Sequence, residues 1–318
     1  MTRRLYSESG QAIVVMLLFL VVLLGGVALT LDVGSWYREH RQAQQTADAA
    51  ALAGAEVLPG DPAQALTLAQ SYAGLNGGGI NPSGGVAFQG DFQANDTLTV
   101  KVTRTAPGFF SKIFGIDSVN VHATATARAA VPIDVRWAAP IVVNKAHPDL
   151  SGPGCPCFKQ DTTIPLGKVG APGSFDLVDL SKYAQAFAGL CTGGAGSGNA
   201  GSSTLGSWIQ SGFSAYLNLG CYSSDPGADF DSAEITNAMT ARIGTDMLFP
   251  VYDALSGNGS NAQYHIIGWA GFHVEGFTAQ GNNGSVSGYF TQVIWDGIQS
   301  TTAPTGNNFG VYTIALIN

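Results

Sequence analysis

The run Ala12–Leu31, AIVVMLLFLVVLLGGVALTL, contains 20 residues and no charge. At about 1.5 Å rise per residue, a helix of that length spans roughly 30 Å, the thickness of a bilayer's hydrocarbon core. A surface helix of a soluble domain keeps a polar stripe, and this run has none. Arg3 and Arg4 precede it, and Trp36 and Tyr37 follow at the level of an interfacial aromatic belt. A secretory signal has a shorter apolar region, about 7–15 residues, ending in a small-x-small cleavage site. Here the run passes through Asp32 into VGSWYREHRQAQQTADAAALAGAEVL, a segment rich in helix formers with no proline before Pro59. The expectation is one uncleaved helix of about 45 residues, half in lipid and half outside it. Ala43, Ala47, Ala50 and Gly54 recur at helical spacing and form a smooth face, suited to close packing on the chain's own domain or on a partner helix.

Lysine and arginine counts on the two flanks nearly tie: Arg3 and Arg4 on one side, Arg38 and Arg41 on the other. The remaining chain decides the expected orientation. No second apolar run is long enough to cross, so everything after Leu31 lies on one side. That part carries all four cysteines, Cys155, Cys157, Cys191 and Cys221. An even number of cysteines in an oxidising compartment reads as two disulfides, which places the N-terminus inside a cytoplasmic membrane and the bulk outside. Three connectivities are possible. Bonding Cys155 to Cys157 closes a very small ring around Pro156, so pairing across to Cys191 and Cys221 is favoured. Zinc is disfavoured because Cys191 and Cys221 do not form knuckles.

Composition narrows the function classes. The chain has 318 residues, of which 11% are charged, and its net charge is −8. Fourteen Lys plus Arg against 22 Asp plus Glu gives no basic footprint for nucleic acid. Forty-two glycines suit an exported, β-rich protein with long turns.

After the long helix, Asp61 caps a second helix that begins with Pro62. Thr97–Thr105 and Ser118–Ala129 alternate as strands, with APGFFSKIFG between them as a short apolar helical turn. Residues 58–130 therefore read as a small α+β domain. Residues 131–318 read as a mainly antiparallel β domain with Gly/Ser-rich loops, among them a low-complexity insertion starting at Cys191. One helix is expected there, capped by Asp231 with Glu234 three residues on. The fold class is thus α+β: a cytoplasmic tail 1–10, a transmembrane helix with its extension 11–57, then the two domains.

No G-x-S-x-G, H-E-x-x-H or P-loop is present. His265, His273 and Glu275 share odd numbering on one strand, which places them on one face. Eight strand residues span about 26 Å, too far for the two histidines to share a metal. No catalytic, cofactor or metal residue is assigned, and a solvated polar strand face accounts for the three.

The N-terminal block ESGQAIVVMLLFLVVLLGGVALTLDVGSWYREHRQAQQTADAAALAGA resembles that of bacterial Tad (Flp) pilus-assembly proteins of the TadE/TadG-like family. The resemblance rests on the G-Q-A start, the LDVG exit and the alanine-rich stretch, over about residues 8–57. It implies a membrane-anchored, non-catalytic component of a Tad-type pilus or secretion apparatus. Its partners would be the membrane, other Tad pilus-assembly proteins and a second copy through the N-terminal helix. Two features depart from relatives: Val15, the fifth residue after Gly10, stands where processed pilin-like members carry Glu, and no von Willebrand A domain is present. The alternative is a membrane-tethered enzyme or ligand-binding module with its site in 131–318, near Trp269, His273 and Glu275 or the cysteines.

Overall fold

The computed structural model describes residues 9–81, 84–167, 176–225, 230–280, 283–300 and 307–317; the side chains of 9–11 and 260 lie outside the description. The chain divides into two compact units, Met1–Arg128 with Ala315–Asn318, and Ala129–Ile314.

In the first unit, helix α1 runs unbroken from Ser9 to Ala55. Helix α2, Pro62–Leu75, starts as expected: the Asp61 carboxylate accepts the Gln64 N–H at 2.8 Å, and Pro62 takes the first turn, where no N–H is needed. Strands β1 (Val86–Gln89), β2 (Thr97–Pro107) and β3 (Ser118–Ala130) form an antiparallel sheet in that order. A single turn of 3₁₀ helix, Ser111–Phe114, links β2 to β3. The strands have two chemically distinct faces. Leu98, Val100, Val102, Ala123, Ala125 and Ala127 are buried on the side that α1 covers. The other side is a ladder of polar cross-strand pairs: Thr99 with Thr126 at 3.0 Å, Thr103 with His122 at 3.0 Å and Thr105 with Asn120 at 3.1 Å.

The second unit is β-rich. Its elements are β4 (Pro132–Val135), β5 (Val143–Asn144), α3 (Pro148–Ser151), β6 (Asp161–Leu166), β7 (Val178–Ala184) and α4 (Gly201–Ser211). There follow β8 (Leu217–Asn218), β9 (Gly220–Ser224), α5 (Ala233–Arg242), β10 (Asp246–Ser256), β11 (Gln263–Gln280) and β12 (Asn283–Thr291). The last are β13 (Val293–Ile294), β14 (Gly297–Gln299) and β15 (Val311–Ile317), whose residues from Ala315 on belong to the first unit. The main sheet has the order β5-β10-β11-β12-β6, with β9 paired to β11 and β7 to β9. All of these pairs are antiparallel except β5 with β10.

The central strands are buried on both sides, so their hydrophobic pattern is nearly continuous. On β10, Met247, Phe249 and Val251 enter one core with Phe272, Val274 and Phe290, while Leu248 and Tyr252 enter the other with Tyr264, Ile266 and Trp269. Strand β11 changes face twice. A register shift leaves Ile267 unpaired with β10, so Tyr264 and Ile266 point the same way as Trp269. A second shift, against β12, falls at Glu275. The expectation that His265, His273 and Glu275 share a face therefore fails. His265 lies opposite Tyr264, on the Phe272 side, and His273 lies opposite Phe272, on the Trp269 side. Odd numbering predicts one face only in a strand without bulges.

Three further expectations are corrected. The insertion after Cys191 is not all irregular: α4 forms at Gly201–Ser211 and buries Leu205 and Ile209. It approaches α5 closely at Gly206, where a Cβ would stand 2.9 Å from the Glu234 carbonyl oxygen. Leu205, Trp208 and Ile209 carry a helical period that the Gly/Ser background hides. The cap of α5 is Ser232, whose hydroxyl accepts the Ile235 N–H at 3.4 Å, rather than Asp231. The cysteines pair locally, Cys155 with Cys157 and Cys191 with Cys221, not across. The backbone around Pro156 folds back until the Cys155 and Cys157 Cα atoms are 4.4 Å apart, inside the range a disulfide spans. Cys191 and Cys221 lie at 5.7 Å, with Cys221 on β9.

Candidate functional site

Helix α1 has two unlike halves. From Ile13 to Leu31 its large apolar side chains have nothing over them; Leu17 is 56% exposed and Phe19 66%. Asp32, the next residue, is 2% exposed. From there a packed stripe climbs the helix through Trp36, Ala43, Thr46, Ala47, Ala50 and Ala53, at the three- and four-residue spacing of one helical face. The helix is long and apolar enough to cross a membrane, and the exposed half is the part that would do so.

Asp32 begins the stripe with a polar contact. Its carboxylate accepts N–H bonds from Phe109 at 2.8 Å, Phe110 at 3.1 Å and Ser111 at 2.6 Å. These amides open the 3₁₀ turn, which has no side-chain cap of its own. A short helix leaves its first amides without partners, and Asp32 supplies them from another element. One helical turn later, the Trp36 indole N–H donates to the Pro107 carbonyl at 3.2 Å. Two side chains of α1 thus hold the segment 107–111 against the helix. Nothing local in the sequence names the Asp32 partners, which lie 77 and more residues downstream. The only hint is a lone carboxylate at the end of an apolar run.

Ala43, Ala47 and Ala50 are fully buried within the first unit. At Gly54 a Cβ would stand 2.2 Å from Leu98 Cδ2, 3.0 Å from the Ala65 carbonyl oxygen and 3.3 Å from Ala69 Cβ. The small residues let α1 come within backbone distance of α2 and β2. Arg104 locks the same junction, donating to Thr46 Oγ1 at 2.8 Å and to the Asn76 carbonyl at 2.5 Å.

In the second unit the side chains named as an alternative site are dispersed. His265 Nδ1 pairs with Asp253 at 2.7 Å, and His273 Nδ1 with Asp246 at 2.7 Å while stacking on Tyr289. Trp269 is buried in the core and Glu275 is exposed at its bulge. Among the described residues no group of three or more His, Cys, Asp or Glu side chains could hold a metal.

A cavity of about 250 Å³ in this unit was not foreseen. Asn144, His147, Asp176 and Tyr252 are among its walls. Asp176 is 4% exposed, and its Oδ2 has no hydrogen-bond partner among the described residues. Burial pushes its carboxyl up to about 8, against a smaller opposite pull from the Gly167 amide. Burial, with Asp176 nearby, likewise pushes the Tyr252 phenol up to about 12, which a bond with Asn144 partly offsets. In both cases burial favours the neutral form.

No curated protein and no solved structure matches this chain. Residues 10–57, the apolar half of α1 together with its packed stripe, match the Tad family, described as "Putative Flp pilus-assembly TadE/G-like".

Proposed function

We propose that this chain is a membrane-anchored, non-catalytic assembly component of a Tad/Flp-type pilus or secretion apparatus. The observation that carries the reading is the division of α1. The segment similar to the Tad family is one helix, bare below Asp32 and built into a folded unit above it. That is the form of a tether which holds a rigid body at a fixed height over a bilayer. The tail 1–10 would lie in the cytoplasm and the residues after the span outside it. Two disulfides among four cysteines favour the oxidising side for the second unit. Ala43, Ala47, Ala50 and Gly54 act in this reading as the joint between tether and body, and residues 58–130 and 131–318 as the outer domains. Other Tad assembly proteins are the expected partners.

Deleting the gene from its host is expected to abolish Tad-pilus assembly, scored by electron microscopy of surface filaments, and the intact gene is expected to restore it. Normal filaments in the deletion strain would count against the role. A second reading, a tethered ligand-binding module, is favoured by one observation only, the cavity beside Asp176.

A further inference from the structure

The loop between β2 and β3 exposes five large apolar side chains in eight residues: Phe109, Phe110, Ile113, Phe114 and Ile116. Ile113 is 79% exposed and Phe114 84%. A patch of this kind is normally covered. This one stands beside the bare half of α1. Between the two lies a groove of about 680 Å³, walled on one side by α1 from Leu24 to Asp32 and on the other by Phe110, Ile113, Phe114 and Ile116. Leu24 sits seven residues below Leu31, so the groove reaches about 10 Å into the apolar span.

The backbone of the turn is what separates it from an ordinary exposed loop. Amides that enter hydrocarbon must already be bonded within the protein. Here Asp32 takes the amides of Phe109, Phe110 and Ser111. Gly108 N–H goes to the Asp117 carbonyl, Ile113 to Phe110, Gly115 to Lys112 and Ile116 to Ser111. The Ser111 hydroxyl donates to the Ile116 carbonyl at 3.0 Å. Gly115, with φ of 80°, turns the chain back so that Phe114 forms the tip. Lys112, in the same turn, has a stem long enough to carry its ammonium out to lipid phosphates.

We propose that the Phe109–Ile116 turn is a second membrane contact, immersed in the leaflet next to Asp32, and that the groove between it and α1 holds a phospholipid acyl chain. This rests on the reading of α1 as a membrane anchor. Lipid is favoured over a protein partner because the patch continues the lipid-facing surface of α1 at the same depth. Seven amides of the segment, those of Gly108, Phe109, Phe110, Ser111, Ile113, Gly115 and Ile116, are bonded within the protein, which lowers the cost of placing the turn in hydrocarbon. Asp32 is then the latch that lets one helix bring a distant loop into the bilayer.

The full chain, reconstituted into phosphatidylcholine vesicles with a photoactivatable diazirine on the acyl chain, is irradiated, digested and mapped by mass spectrometry. Adducts are expected along 12–31 and also on Phe110, Ile113, Phe114 and Ile116. Adducts along 12–31 with none on the turn would overturn the proposal and leave the anchor standing, and would mean that a protein surface or water covers the turn. No adducts on either segment would remove the anchor and the proposal together. Gly25→Phe separates the groove from general immersion, since Gly25 lines the groove and a Cβ there meets nothing within 4 Å. Filling the groove is expected to lower adducts on Phe110 and Ile116 about tenfold while those on the tip, Phe114, persist. Unchanged labelling of Phe110 and Ile116 would contradict the acyl-chain site.

Discussion

Replacing Gly54 with leucine is expected to destabilise the first unit by about 3 kcal/mol, at the upper end of the range for forcing extra volume into a packed core. The first atom of the new side chain would already stand 2.2 Å from Leu98 Cδ2 and 3.0 Å from the Ala65 carbonyl oxygen. Leu98 is fully buried and has little room to yield, and a backbone carbonyl in α2 can move only with its helix. The alternative to the clash is separation of α1 from α2 and β2, which exposes Ala43, Ala47 and Ala50. Gly34→Leu is the matched control. It lies in the same helix, and a Cβ there meets nothing within 4 Å. Pulse proteolysis of the micelle-solubilised chain across a urea series should show cleavage of the first unit at lower urea for the Gly54 variant and at the wild-type midpoint for the Gly34 variant. Equal midpoints for all three would mean that this junction does not hold the helix.

A second large effect is expected from acidity. Burial raises the Asp176 carboxyl from 3.8 to about 8. Below about pH 3 the group is protonated whether the unit is folded or not. Above pH 4 the unfolded chain releases the proton while the folded chain keeps it until about pH 8. In that window the unfolded state binds fewer protons, so stability falls as pH rises. By pH 7 the cost is on the order of 4 kcal/mol. Asp176→Asn removes the ionisation and keeps a neutral polar group of similar shape. The variant's thermal midpoint is expected to equal that of the wild type near pH 3 and to exceed it increasingly from pH 4.5 to 8. Parallel pH profiles for the two proteins would show that Asp176 is ionised and solvated in the folded unit.

Much of the first unit is legible in the sequence because its determinants are local. Asp61 and Pro62 announce α2, and the alternation at Thr97–Thr105 and Ser118–Ala129 announces its two long strands. The uncharged run and the alanine spacing announce α1. What escapes is long-range or depends on a single inserted residue. Asp32 reads as the end of a span, yet it caps a turn 77 residues away. Ile267 and Glu275 look like ordinary strand residues, yet each shifts the register and reverses the faces that follow. Helix α4 is hidden by composition, because glycine and serine around Leu205, Trp208 and Ile209 argue for a loop until their common burial is seen. The local pairing of Cys155 with Cys157 depends on a backbone reversal at Pro156 that composition does not reveal.

The most direct test of the tether is the intact mass of the native chain taken from alkali-washed cell membranes. A species that remains in the membrane pellet and still carries Ala12–Leu31 joined to the folded units is the expected result. A mature species that begins downstream of Asp32, or one released wholly into the alkaline supernatant, would contradict it.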